Sequence, residues 1–244
     1  MSLWRKLSNA TPVAWSFWRF NWLANHKVLA AAARTRPYAH GVLLDIGCGS
    51  MRARQWYEGR ITGYLGIDLS VSPYLEDAKL TAVARGEQLP FRAGCVDTVL
   101  GISMLTCLAE PEKLVEEAYR VLRPGGTLIL EFTQMAPLHD EPHDYFRFTF
   151  FGAKSLLERG GFEIVQCQPI GGLMARVGLS AIAAIERVNR GPTRVLTEIP
   201  ARVLYIVLQL GFELLDRVFF DPREVLAHFP AARSRRSTRR IDSP

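Results

Sequence analysis

Residues 137–149, Pro-Leu-His-Asp-Glu-Pro-His-Asp-Tyr-Phe-Arg-Phe-Thr, gather two of the chain's five histidines with three acids, a tyrosine and an arginine. Imidazole titrates near neutrality, so His139 or His143 could take a proton from an attacking oxygen, with Asp144 orienting the ring that does so. Tyr145 and Arg147 complete the candidate catalytic set. Each residue also has a plainer reading. Asp144 and Arg147 could be an internal ion pair holding the loop, Tyr145 and Phe148 core, and either histidine a solvated loop residue. So many titratable groups in one short stretch favour a site for the segment as a whole.

A second cluster lies upstream, in Val42-Leu43-Leu44-Asp45-Ile46-Gly47-Cys48-Gly49-Ser50. The apolar residues suit a parallel strand covered on both faces, and Gly47 and Gly49 suit a tight turn that lets a ligand approach the backbone. Another apolar run, Tyr64-Leu65-Gly66-Ile67, ends in Asp68. An acid about 20 residues past such a turn can hold ribose hydroxyls, and its plainer role is a helix cap. A third glycine, which a dinucleotide fingerprint would place at position 52, is replaced by Arg52. That argues against a bound pyrophosphate and disfavours an NAD-dependent dehydrogenase.

Strands expected at 42–46, 63–67, 96–101, 126–132 and 162–167, with a weaker one near 79–84, alternate with helices at 111–122 and 152–160. The fold class is therefore α/β, a doubly wound and mostly parallel sheet with helices on both faces. Ligands of such sheets sit beyond the carboxyl ends of the strands, where both clusters fall.

Asp45-x-Gly47-x-Gly49 resembles the first motif of the class I, Rossmann-like S-adenosylmethionine (SAM)-dependent methyltransferases, type 11-like family. Gly86-Glu87-Gln88-Leu89-Pro90-Phe91, then Asp97, then Arg120-Val121-Leu122-Arg123-Pro124-Gly125-Gly126 resemble the same family in order and spacing. The likeness covers about residues 40–168. It implies a seven-stranded-type sheet, SAM as cofactor and no metal. It also implies roles for matching residues. Asp45, Gly47, Cys48 and Gly49 would meet the methionine end, and Asp68 the ribose hydroxyls. Leu69 would flank the adenine; Glu87, Gln88 and Leu89 would border its edge; Ser103 would lie near the methionyl moiety. Leu105-Thr106-Cys107 stands where relatives often carry Leu-Glu-His, which shifts the catalytic burden to 137–149. That stretch is itself similar to a Pro-x-His-x-x-Pro-x-Asp-Tyr-x-Arg-Phe-Thr segment of bacterial methyltransferases resembling enzymes of envelope sugar and lipid modification.

The chain has 244 residues and a formal net charge of +6, with much of the positive charge between Arg233 and Arg240. Four scattered cysteines without a CxxC pair speak against zinc or a disulfide framework and suit a reducing compartment. No apolar run reaches the roughly 18 residues needed to span a bilayer. Arg5 and Lys6 precede an apolar stretch as in a signal peptide, but Arg19 and Asn21 interrupt it, so a cytoplasmic location, peripheral at the inner face of a membrane if attached, is expected.

Four segments are expected: an aromatic helical leader at 1–36, the SAM-binding core at 37–168, an apolar helical region at 169–230 and a basic disordered tail at 231–244. In the leader, Trp15, Trp18, Trp22 and Leu29 share a helical face between Pro12 and Pro37. That face could pack on the domain, cover an acceptor pocket or lie on a membrane. The apolar region reads as helices at 173–189 and 193–220. The second shows a narrow polar stripe of Arg202, Gln209, Glu213 and Asp216 and needs cover on most sides. Packing in the monomer or in a homodimer competes with shallow membrane insertion beside the basic tail. Val225–Phe229, followed by Pro230, is a poor seventh strand, which leaves closure of the sheet in doubt.

The expected activity is methyl transfer from SAM to an oxygen of a small-molecule, lipid-linked or glycan-linked acceptor. A catalytically silent scaffold at a membrane or in a complex is the competing class. An RNA methyltransferase is a further alternative; without an aromatic-basic RNA-binding module, a nucleic-acid partner is not expected.

Overall fold

Leu43, Leu44, Asp45 and Ile46 are buried because their strand, β1 (Gly41–Ile46), has a parallel neighbour on each side. Those neighbours are β2 (Ile61–Asp68) and β4 (Val96–Ile102). The sheet is completed by β3 (Ala82–Val83), β5 (Leu122–Thr133), β6 (Phe162–Ile170) and β7 (Ala227–Ser234), and its order is β3-β2-β1-β4-β5-β7-β6. The helices are α1 (Trp22–Thr35), α2 (Ala53–Trp56), α3 (Pro111–Val121), α4 (Phe150–Arg159), α5 (Leu173–Val188) and α6 (Arg194–Val218). This computed structural model describes residues 17–75, 79–189 and 194–236. The expected helix start at Pro12, Trp15 on its face and positions 237–244 of the basic tail lie outside the described residues.

The chain divides into two units. Residues 32–168 with the segment from 227 onward hold the sheet; residues 17–31 with 169–226 are helical. Residues 17–31 of the expected leader and 169–226 of the expected apolar region thus fall in one unit. In the sheet unit, Leu114, Val115, Ala118 and Val121 on one face of α3 join Val99, Leu128, Leu130 and Phe162 in a single core cluster. Each large side chain so buried contributes roughly 1.5–3 kcal/mol. Thr149 accepts a hydrogen bond from Gly152 N and caps α4, so the helix begins two residues before the expected 152 and closes the candidate loop.

Asp97 braces the sheet edge away from the candidate site. Its Oδ2 accepts from Val42 N at 2.8 Å, and Arg123 pairs with it at 2.6 Å. Burial alone would raise this carboxyl, but the Arg123 guanidinium and the Val42 N–H hold it below its usual range. Gly41 has a φ of 59°, and a Cβ there would lie 2.1 Å from Asp97 Oδ2. The strand-4 acid of the family motif is therefore a strut in this chain.

The weak strand expected near 79–84 is present as a two-residue ladder at Ala82–Val83. Two other expectations are corrected. The seventh strand exists: β7 runs antiparallel to β5, pairing Thr127 with Arg233 and Phe132 with His228. The ladder to β5 pairs His228 and Ala231 but neither Phe229 nor Pro230, so Pro230, which has no N–H, sits where this ladder makes no bond. Ala231–Ser234, expected in a disordered tail, are strand, and just beyond them Arg235 N donates to Gly161 O at 2.9 Å. The Arg236 guanidinium lies 4.3 Å from the Tyr119 ring centre.

Candidate active site

The turn after β1 is held from below, since Gly47 N and Cys48 N both donate to Ile67 O, at 2.9 and 3.0 Å. Gly47 and Gly49 have φ values of 70° and 48°, which favour glycine. A Cβ on Gly47 would meet Met104 Sδ at 2.2 Å, so Met104 covers this turn closely. At the end of β2 the Asp68 carboxylate accepts from Gly49 N at 2.8 Å through Oδ2 and from Leu69 N at 2.7 Å through Oδ1. Both oxygens are thereby fixed in direction, and each keeps a lone pair for a further donor. Leu69 is exposed beside it, and Cys48 is buried.

Two carboxyls are buried beneath this edge. Asp45 accepts a hydrogen bond from the Tyr64 hydroxyl. Burial pushes Asp45 up to about 7, the Tyr64 hydroxyl pulls it back, and Asp68 adds to the rise. Glu131, near the end of β5, accepts from Ser103 Oγ at 2.6 Å, and burial raises this carboxyl too. Ser103 has a φ of 56° and its N–H donates to Glu131 O at 3.1 Å. A non-glycine residue held in that left-handed region is a mark of functional segments.

The 137–149 loop leaves the carboxyl end of β5 and is tied to the segment after β4. Tyr145 N and Phe146 N both donate to Thr106 O, at 2.9 and 3.2 Å. The ion-pair reading of Asp144 is what the structure shows. Asp144 is almost wholly shielded and binds Arg147 through both oxygens, at 2.5 and 2.7 Å. The Arg147 guanidinium holds the Asp144 carboxyl down at about 2. Arg147 also donates to Pro137 O at 3.0 Å and Ala136 O at 3.2 Å. Phe148 packs on the core, whereas Tyr145 is exposed and reaches His143 Nδ1 at 3.2 Å through its hydroxyl.

His139 is the better placed of the two histidines for proton transfer. Its Nδ1 lies 2.9 Å from Pro137 O, 3.5 Å from Asp144 Oδ2 and 3.5 Å from Arg147 Nη2. A carbonyl oxygen can only accept, so in the tautomer that bonds Pro137 O the proton is on Nδ1 and Nε2 keeps its lone pair. Nε2 is 3.4 Å from Asp140 Oδ2. Asp140 in turn accepts from the Tyr74 hydroxyl at 2.7 Å and from Cys107 Sγ at 3.6 Å.

Glu87, Gln88 and Leu89 form a turn fixed from behind. Glu117 Oε2 accepts from Leu89 N at 2.6 Å, and Arg120 donates to Leu89 O and Phe91 O at 3.0 and 2.7 Å. The Leu89 side chain is core, so what it offers a ligand is backbone; Gln88 is exposed and lines a shallow depression with Val83, Arg85 and Pro90.

Sequence reasoning missed Tyr64, Tyr74, Met104, Glu131 and Asp140 as site residues. A signal existed for Glu131, an acid inside the apolar run Leu128-Ile129-Leu130-Glu131-Phe132. Among the described residues no cluster of His, Cys, Asp and Glu has the arrangement of a metal site.

A seven-stranded sheet of this order, with a glycine turn after β1 and an acid ending β2, defines the Rossmann-like fold of class I methyltransferases. Residues 44–130 match the methyltransferase domain family, and the sheet has the fold of class I methyltransferases. An uncharacterized methyltransferase of Mycobacterium sp. (strain JLS) is 31% identical over 108 residues, 42% of each chain. The ubiquinone biosynthesis O-methyltransferase of Dechloromonas aromatica (strain RCB) is 28% identical over 127 residues, 48% of this chain and 52% of that one. The chain thus spans about half or less of these relatives' lengths. Phosphoethanolamine N-methyltransferase 2 of Haemonchus contortus, solved with SAM, superposes with a TM-score of 0.54 at 18% identity, covering 88% of this chain and 56% of that one.

The family implies SAM, and the residues present fit it. The Asp68 carboxylate is accessible and pre-oriented for a vicinal diol, and the glycine turn has the backbone conformation of a close approach.

Proposed function

We propose that this chain transfers a methyl group from SAM to an oxygen of a small-molecule, lipid-linked or glycan-linked acceptor. The observation that carries the reading is the Asp68 carboxylate, held by Gly49 N and Leu69 N at the strand end beside the glycine turn. Asp68 would accept from the ribose hydroxyls, Leu69 and Gln88 would border the base, and the Gly47–Gly49 backbone and Ser103 would meet the methionyl end. SAM, when bound, supplies a methyl group on a positively charged sulfur, with a thioether as the leaving group.

The chain's part is to align the acceptor and to receive its proton. Orientation supplies most of the rate in such an in-line displacement. His139 Nε2 takes the proton of the acceptor oxygen as that oxygen bonds to the methyl carbon. The Pro137 carbonyl accepts from Nδ1, and Asp144 and Arg147 flank that side of the imidazole. His143 and Tyr145, exposed at the outer side of the loop, are assigned to acceptor contact. The oxygen chemistry of the Dechloromonas relative supports an oxygen acceptor here.

Calorimetry with SAM and S-adenosylhomocysteine on the purified chain tests the reading. Micromolar affinity for either is expected; no binding by a folded sample would overturn it and shift weight to the scaffold reading.

A further inference from the structure

Helix α6 is built inside out. Its polar residues point into the helical unit and its apolar residues point to solvent. Gln209 is fully buried, accepting from Leu23 N at 2.9 Å and donating to Phe17 O and Arg19 O at 2.6 and 2.9 Å. Asp216 accepts from Gly172 N and Ala175 N, at 3.0 and 2.9 Å, satisfying the amino end of α5. Lys27 bridges Asp216 and Glu213 at 2.8 Å each. Arg202 pairs with Glu198 and donates to Trp18 O at 3.1 Å. At Gly178, where a Cβ would lie 2.7 Å from Phe212, α5 and α6 approach closely. The polar stripe read from the sequence is therefore the packing face.

The opposite face is bare. Ile199, Val203, Val207, Leu214 and Val218 are each 57–68% exposed. At 100° per residue these five fall within about 100° of arc. Phe219 and Phe220 stand exposed just past the helix end. Pro200, Gly211, Leu204 and Leu210 extend this apolar surface, and the one polar side chain beside it among the described residues is Arg217, at the arc's edge, whose Nε donates to Glu213 at 2.8 Å.

We propose that this face lies on an anionic lipid bilayer, with α6 flat in the interfacial layer. The proposal stands apart from the methyl-transfer reading. Three observations support lipid over a protein partner. First, from Ile199 to Val218 the arc runs roughly 29 Å with Arg217 at its edge as its one polar side chain among the described residues. A protein interface makes about one hydrogen bond per 100–200 Å² and favours Tyr, Trp, Met and Arg, whereas hydrocarbon needs none of these. Second, no helix among the described residues is long and apolar enough to cross a membrane, so an apolar face of this length suits the plane of the interface. Third, charge is complementary. The helix acids Glu198, Glu213 and Asp216 are turned in and paired, Arg217 stands exposed at the arc's edge, and the chain carries a net charge of +6.

The test is flotation of the full chain with vesicles of phosphatidylcholine and phosphatidylglycerol. The wild type should float, and Val207→Asp with Leu214→Asp should lower the bound fraction by about tenfold or more. Both positions are exposed, so circular dichroism and S-adenosylhomocysteine affinity should match the wild type. A wild type that stays unbound, or a double variant that floats equally well, overturns the proposal. So does a wild-type dimer in sedimentation that the same substitutions dissociate, which would assign the face to a second copy of the chain.

Discussion

The Tyr74 hydroxyl donates to Asp140 Oδ1 at 2.7 Å, joining the segment after β2 to the loop after β5 across 66 positions of sequence. Tyr74 also lies against the glycine turn, its Cβ 3.2 Å from where a Cβ on Gly49 would stand. One side chain thus touches the turn assigned to the cofactor and the acid beside His139. Its bond to Asp140 pushes the Tyr74 hydroxyl up to about 12, so it stays a donor across physiological pH.

Tyr74→Phe should loosen the candidate loop without unfolding the sheet. A hydrogen bond to a carboxylate at an exposed site is worth about 1 kcal/mol, or roughly fivefold in an opening equilibrium. Amide exchange at Tyr145 and Phe146, whose N–H groups bind Thr106 O, should accelerate by about that factor. Unchanged exchange would mean that the loop is held by Thr106 and the Asp144–Arg147 pair alone.

Asp68→Ala should weaken S-adenosylhomocysteine binding by about tenfold or more, through loss of charged-group hydrogen bonds. The substitution also releases Gly49 N and Leu69 N, so Asp68→Asn is the companion variant. Its amide oxygen can accept from one of them. Calorimetry on both variants checks the assignment, and wild-type affinity in both would refute it.

The turn and its acid were legible in the sequence because they are local: an apolar strand, glycines with positive φ, and an acid ending the next strand. Tyr74 and Asp140 were not, because both sit in segments without periodicity and meet only through the fold. The seventh strand was hidden by Pro230, which reads as a strand breaker until the ladder to β5 proves to skip it. The composition of α6 was read correctly but its orientation was not assigned. A narrow polar stripe looks like a solvent face until Lys27 and the amide groups of Leu23, Gly172 and Ala175 are seen to need those partners.

Asp45 makes stability depend on pH. In the folded chain it keeps its proton up to about pH 7, against a usual value of 3.8. Between those values the folded state binds more protons than the unfolded state, so stability falls as pH rises through the window. A shift of this size corresponds to up to about 4 kcal/mol. Asp45→Asn removes the titration and keeps an acceptor for the Tyr64 hydroxyl. Urea denaturation across the window should show a shallower decline for the variant; parallel curves would place the pH dependence elsewhere.

Removing the histidines should separate proton transfer from cofactor binding. His139→Ala should leave S-adenosylhomocysteine affinity unchanged, because the ring contacts Pro137, Asp140, Asp144 and Arg147 and none of the residues assigned to the cofactor. Labelled-methyl transfer from SAM to envelope glycan and isoprenoid lipid fractions should fall by about a hundredfold, the lower part of what a general base contributes. Added imidazole should restore part of it, which a purely structural role for the ring would not allow. His143→Ala should cost only a few-fold, since its Nδ1 is engaged by the exposed Tyr145 hydroxyl at the outer side of the loop. Wild-type transfer by both variants would leave the reaction to orientation alone or to another base. The Ser103–Glu131 pair would then be the next to test, because burial raises the Glu131 carboxyl at the same edge of the sheet.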